Sequence, residues 1–241
     1  MYRVKQVNKI GILSDIHFPF EDYNSLNTAL KILKEEKPDV IILDGDILDC
    51  SEISKFDVVP NFTKHLRDEI SLGWSFLSDL RKEHPNIPIR YIEGNHEMRI
   101  KTYLLKYAPN FYDELYLPDQ LQFTKIGVEW IPVRAGATKF CDTYVDIEGV
   151  KIGHFDAVNQ GAGMTVRNVM RKKGNGNYVQ AHIHRGAIIY FTDIDKNTYF
   201  GMETPCLCKY PYYSSVDDWQ RGLSFIKRDR CGIMRPELIV F

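Results

Sequence analysis

The stretch KPDVIILDGDILD, residues 37–49, packs a helix stop, a short apolar run and a polar turn into one segment. Pro38 lacks an amide hydrogen and disfavours helical geometry at Lys37, so a helix arriving here must end. Val40-Ile41-Ile42-Leu43 is an unbroken aliphatic run, the pattern of a short buried strand. The chain then leaves through Asp44-Gly45-Asp46-Ile47-Leu48-Asp49, where Gly45 allows a tight turn between carboxylates. Reading outward, residues 25–37 carry Leu26, Ala29, Leu30 and Leu33 at helical spacing, with Asn24 as the expected N-cap. Residues 9–14 (KIGILS) precede that helix as a strand. Downstream, a helical pattern over 62–83 closes at His84-Pro85, and Ile89-Arg90-Tyr91-Ile92 follows as another strand. Strands separated by helices imply βαβ units, hence a parallel sheet with right-handed crossovers.

The pattern changes near residue 120. Strands are expected at 128–133, 143–147, 150–153, 178–182, 188–192 and 199–201, joined by tight turns that include Glu148-Gly149 and Asp195-Lys196-Asn197. One helix, over 162–172, interrupts them. The expectation is a single domain over residues 1–241, with parallel βαβ units first and mostly hairpins second. Its fold class is α/β: two mixed β-sheets packed face to face and flanked by helices, a four-layer α/β/β/α sandwich.

With 241 residues, 44% hydrophobic and 26% charged, the chain can bury a substantial core. Its formal charge of -1 gives no global basic excess, which removes the simplest argument for nucleic-acid binding. No apolar run approaches the ~18–20 residues of a membrane span, and the start MYRVKQVNKIGIL lacks the apolar core of a signal peptide. The cysteines, five and scattered, do not suggest a disulfide framework, and Cys206-x-Cys208 has the wrong spacing for a common zinc motif. All five are expected to be reduced structural thiols of a cytoplasmic protein, with no membrane attachment and no protein partner evident.

In an open α/β sheet, functional groups collect where strands end. The first three strands end in Ser14-Asp15-Ile16-His17, in residues 44–49, and in Glu93-Gly94-Asn95-His96-Glu97. His154 follows the strand at 150–153, and Ala181-His182-Ile183-His184 follows the apolar run before it. His65 and His84, in or beside the long helix, read as surface residues. Histidines, aspartates and an asparagine gathered at strand ends have the composition of a metal site. In AHIHR, residues i and i+2 of an extended segment share a side, so both rings could reach one site.

These residues, in this order, resemble the motifs of the calcineurin-like metallophosphoesterases. Asp15-x-His17, Gly45-Asp46-x-x-Asp49, Gly94-Asn95-His96-Glu97, His154 and Ala181-His182-x-His184 fall along residues 9–190. Ala181 stands where the family has glycine, and Phe155 follows His154 where many members have glycine. The resemblance implies a dinuclear centre, with Asp15, His17 and His184 on one ion and Asn95, His154 and His182 on the other. Asp46 would bridge both. The ions implied are two divalent metals, manganese first, with iron, zinc or nickel as alternatives, since mixed carboxylate and imidazole donors suit them better than calcium. His96 is implied as the catalytic residue that is not a ligand. Asp49 and Glu97 are expected to accept from imidazole N–H groups. Asn95 and Arg99 are expected at the substrate, Arg99 because it lies three residues beyond His96 on a helix.

The implied partner is a phosphoester, with a nucleic acid or nucleotide as the class considered first. The second motif continues as Asp49-Cys50-Ser51, without the arginine typical of phosphoprotein phosphatases. The expectation is a phosphodiesterase or nuclease; the alternatives are a phosphomonoesterase and, third, a non-catalytic metal-binding module. Residues 167–177 add Arg167, Arg171, Lys172 and Lys173 between two implied ligands, as an arm for a nucleic-acid backbone or a solvated helix end. The aromatic stretch Tyr210-Pro211-Tyr212-Tyr213 with Trp219 could stack bases or bury against the sheet.

Overall fold

The computed structural model describes residues 6–54, 65–133, 143–155, 157–209 and 218–241. Strand β1 (Lys9–Leu13) leads into helix α1 (Tyr23–Glu36), then β2 (Val40–Asp44), α2 (Leu66–Glu83), β3 (Ile89–Ile92) and α3 (Glu97–Tyr107). Two short helices, α4 (Leu117–Gln120) and α5 (Phe123–Ile126), precede β4 (Val128–Ile131). Then come β5 (Val145–Ile147), β6 (Val150–Gly153), α6 (Met164–Lys173) and β7 (Asn177–Gln180). The chain ends with β8 (Ala187–Thr192), β9 (Thr198–Glu203), β10 (Gly222–Arg228) and β11 (Met234–Val240).

These strands form two mixed sheets, ordered β11-β10-β1-β2-β3-β4 and β5-β6-β7-β9-β8. Alternation along β2 explains the stacking. Ile41 and Leu43 pack into a core with residues of α1 to α5, whereas Val40 and Ile42 enter a second core shared with Ile152, Val179 and Met202 of the other sheet. A third cluster joins Val166, Val169 and Met170 of α6 to Tyr178. The result is the four-layer α/β sandwich expected, and each fully buried aliphatic side chain in it contributes roughly 1.5–3 kcal/mol.

Several elements depart from the expected pattern. Helix α1 begins at Tyr23, not after Asn24, because Asp22 accepts from the Ser25 amide and caps it. At its other end Lys37 adopts a left-handed conformation and donates to Leu33 O, just before Pro38. Strand β4 pairs in parallel with β3 and belongs to the first sheet. The second sheet is less hairpin-like than expected, since β6–β7 and β7–β9 are parallel. Strands β10 and β11 form an antiparallel edge beside β1 that the sequence reading passed over. Helix α2 is described from Leu66, so the expected start at Phe62 lies outside the described residues.

His84 is buried and not on the surface, with 5% exposure. The chain folds back beneath Arg81, whose guanidinium donates to the carbonyls of His84, Ile87, Ile126 and Gly127. Among the described residues no helix is long and apolar enough to cross a membrane.

Glu69 of α2 ties the fold to the turn after β2. Its carboxylate accepts from Cys50 N at 2.6 Å and from Ser51 Oγ at 3.2 Å. Burial pushes this carboxyl up to about 7, from an ordinary 4.5. Between those values the unfolded chain has lost the proton and the folded chain keeps it, so stability falls as pH rises from 4.5 to about 7. Glu69→Gln keeps an acceptor and removes the titration, so Tm measured across that window should lose part of its downward slope.

Candidate metal centre

The polar residues picked out at strand ends do converge, and the backbone bends sharply to bring them there. Asp15, His17, Asp46, His182 and His184 all have positive φ, between 51° and 79°. Such left-handed conformations in non-glycine residues cost of order 1–3 kcal/mol where strained, and they concentrate at functional sites. The turn after β1 is laid against the turn after β2, with Asp15 N donating to Gly45 O and His17 N to Asp46 O. Gly45, at φ 74°, brings its Cα under His154, where a Cβ would sit 2.5 Å from Nδ1. A Cβ on Gly94 would collide with Asp46. The expected strand at 178–182 stops at Gln180, and AHIHR carries two left-handed residues, His182 and His184, instead of running extended. Both rings still reach the site, by a route that i, i+2 alternation does not describe.

Asp46 lies at the centre. Its Oδ2 is 3.1 Å from His154 Nε2, 3.8 Å from His96 Nε2 and 3.9 Å from His17 Nε2, and its Oδ1 accepts from His96 N at 2.8 Å. Two groups of donor atoms compact enough to hold an ion, His17–Asp46–His96 and Asp46–His154–His182, share it. Asn95 Oδ1 reaches His154 Nε2 at 3.0 Å. On the other flank His184 Nε2 lies 3.2 Å from Asp15 Oδ1 and 3.3 Å from His17 Nε2.

The imidazoles follow a rule. In His17, Nδ1 is held by Asp49 Oδ1 at 3.0 Å, and in His154 by the Asp44 carbonyl at 2.7 Å, which leaves both Nε2 atoms facing inward. Metal-binding histidines characteristically have one nitrogen fixed by the protein and the other aimed at the ion. His96 differs. Its Nδ1 donates to the Asp49 carbonyl at 2.7 Å, and its Nε2 accepts from Arg99 at 3.0 Å. Arg99 also donates to Asp49 O at 2.9 Å. Its side chain therefore shares the face of His96.

Glu97 was expected to orient an imidazole and does not. It is the first residue of α3, and its carboxylate turns back to accept from the amides of Asp46, Ile47, Leu48 and Gly94 and from Tyr91 OH. It holds the loop that carries Asp46. Asp49 Oδ1 lies 3.0 Å from His17 Nδ1 and 3.2 Å from His96 Nδ1.

Burial alone would lower His154, yet the neighbouring Asp46 carboxylate outweighs it and lifts the ring to about 10. Burial lowers His182 to about 4, helped by His154. Fully buried Asp15 has only the His184 ring at its Oδ1, and Nδ1 of His182 has no hydrogen-bond partner. Clustered carboxylates, inward-facing imidazole nitrogens and buried atoms without partners are what a divalent cation would satisfy.

Two further residues adjoin the cluster: Cys208, whose place here sequence reasoning missed, and Trp219, expected to stack bases or bury against the sheet. Cys208 Sγ is 3.8 Å from His184 Nδ1, and the Trp219 ring meets the His184 ring edge-on at 4.0 Å between centroids. Neither has a spacing signal, since 24 residues separate Cys208 from His184. Residues 210–213 lie outside the described residues. The basic residues Arg171, Lys172 and Lys173 close α6, where β7 begins, whereas the cluster sits where β7 ends. A four-residue strand spans ~13 Å, so that helix end is remote from the cluster.

The sequence model of the calcineurin-like phosphoesterase family matches residues 8–214. The Gene 54 protein of Mycobacterium phage D29 is 27% identical over 245 residues, spanning 96% of this chain and 92% of its own. Among solved structures, Vps29 of Chaetomium thermophilum (TM-score 0.44) is 10% identical and spans 97% of this chain and 93% of that one. The E. coli phosphoesterase Yfce (TM-score 0.43) is 11% identical, spanning 96% and 99% respectively.

Proposed function

The chain belongs to the calcineurin-like phosphoesterases, metal-dependent phosphoester hydrolases, and from that premise we propose that it is a manganese-dependent phosphodiesterase or nuclease acting on nucleotidic substrates. Asp15, His17 and His184 would hold one divalent ion and Asn95, His154 and His182 the other, with Asp46 common to both. The observation that supports this reading is Asp46 itself, whose Oδ2 stands between the two sets, 3.1 Å from His154 Nε2 and 3.9 Å from His17 Nε2. When bound, a pair of such ions supplies Lewis acidity and an acidified water for in-line attack on phosphorus.

The protein's own groups then have separate tasks. Asp49 and the Asp44 carbonyl keep His17 and His154 turned toward the centre. His96 Nε2 and the Arg99 guanidinium meet 3.0 Å apart, so both face one incoming phosphoryl or leaving-group oxygen. A phosphate oxygen arriving there would take over the Arg99 hydrogen bond and leave Nε2 free to take a proton from solvent. His96, then doubly protonated, would pass that proton to the departing alkoxide and return to the neutral ring, a step that general acids accelerate by roughly 10²–10⁴-fold.

A diester is favoured over a monoester dianion because the turn after Asp49 adds no second guanidinium to that of Arg99. The turn after Asp49 contributes buried Cys50, with Ser51 held by Glu69, and no arginine. Trp219, whose ring packs edge-on to His184, would be the aromatic group beside the site for a base to meet. With Mn²⁺ present, hydrolysis of bis(p-nitrophenyl) phosphate should outpace that of p-nitrophenyl phosphate. A strong preference for the monoester would overturn the diesterase reading, and hydrolysis of neither by the metal-loaded protein would overturn the hydrolase assignment.

Metal should also stabilise the fold by relieving carboxylate crowding around Asp46. At about 100 times its dissociation constant each ion adds about 2.7 kcal/mol, and for a chain of this length each kcal/mol moves Tm by about 2–4 °C. Chelation with EDTA should therefore lower Tm by about 10–20 °C, measured by calorimetry against the Mn²⁺-loaded protein.

A further inference from the structure

We propose that Cys208 is a positioning residue for His184: its sulfur accepts the Nδ1 hydrogen of that ring and so holds Nε2 toward Asp15 and His17. This rests on the reading of the cluster as a metal centre, and it concerns the ion assigned to Asp15, His17 and His184. The geometry starts from the ring itself. Nε2 of His184 faces Asp15 Oδ1 at 3.2 Å and His17 Nε2 at 3.3 Å, while Nδ1, on the outer side, faces Cys208 Sγ at 3.8 Å. His17 and His154 have the same division, with an oxygen on the outer nitrogen. In His184 that place is taken by sulfur.

The thiol is held where it is. Its residue is 3% exposed, Leu207 N donates to Asp15 O at 3.0 Å, and Lys209 N donates to Phe20 O at 2.8 Å. The segment from 207 to 209 is thereby fastened along the turn that carries Asp15 and His17. Gln220 N fixes the His184 carbonyl at 2.9 Å, and Trp219 closes on the ring edge-on. The cluster around this ring is buried, with Asp15 Oδ1 facing His184 Nε2 at 3.2 Å. His17, His184 and Cys208 also offer donor atoms within 4.8 Å of one another.

Partners on the outer nitrogen of a metal-binding histidine set ring orientation and basicity, and their loss typically weakens metal binding by about 10–100-fold. The test is a calorimetric titration of chelated protein with Co²⁺, comparing wild type, Cys208→Ala and Cys208→Ser. Wild type should bind two ions. Cys208→Ala should bind one of them about 10–100-fold more weakly and the other unchanged. Cys208→Ser, which keeps an acceptor and guards against a variant that merely fails to fold, should bind close to wild type.

Equal binding by Cys208→Ala and wild type would overturn the inference, as would Cys208→Ser binding as weakly as Cys208→Ala. A thiolate-to-cobalt charge-transfer band in the wild-type near-ultraviolet spectrum would overturn it too, because the sulfur would then be a ligand. Wild type that fails to bind two ions would sink the metal-centre reading and this inference with it, an outcome distinct from the others.

Discussion

Replacing Asp46 with asparagine should cut turnover by about 10³–10⁵-fold, the cost of losing several kcal/mol of Lewis-acid stabilisation. The carboxylate lies within 4 Å of Nε2 of both His17 and His154, and asparagine offers a single neutral oxygen in its place. Bound metal, measured by elemental analysis after gel filtration, should fall from two ions to one or none. The substitution is nearly isosteric, so the hydrogen bond from His96 N to Oδ1 survives and the loop remains gripped by Glu97. Full metal content with full activity in this variant would mean that the two clusters do not work through Asp46.

His96→Ala separates binding from chemistry. Both nitrogens of this ring are engaged by protein, Nδ1 with Asp49 O and Nε2 with Arg99, so its removal should leave both ions in place. Turnover of an alkyl diester, whose alkoxide needs a proton, should fall by about 10²–10⁴-fold. A p-nitrophenolate leaving group departs without that help, and its release should fall much less. An equal loss for both leaving groups would assign His96 to phosphate binding alone. Loss of metal would make it a ligand.

Local pattern carried the first half of the fold. The aliphatic run of β2 between a proline stop and a glycine turn, repeated in kind at β1 and β3, identifies buried parallel strands and where they end. It did not place β4, because Val128–Ile131 looks alike whether it pairs with β3 or with a hairpin partner; register with β3 decides, and register is a tertiary property. Strands β10 and β11 were legible in principle. Leu223 and Phe225 face one core and Ile226 the other, the alternation of a strand buried on both faces.

The candidate site divides in the same manner. Its histidines and aspartates can be named because strand ends collect them, yet the pattern does not reveal the geometry at AHIHR, where left-handed His182 and His184 break the extended segment. Glu97 shows the same limit, since sequence identifies a carboxylate at a helix start but not which way it turns. Cys208 could not be found by spacing at all. It reaches His184 only because the chain returns along the Asp15 turn, a contact made by topology.

The central claim is a two-metal centre organised around Asp46, and anomalous diffraction from crystals grown with Mn²⁺ tests it most directly. Two peaks roughly 3.5–4 Å apart, flanking the Asp46 carboxylate with His17 and His184 on one side and His154 and His182 on the other, are the expected result. A single peak, or peaks away from Asp46, would contradict it.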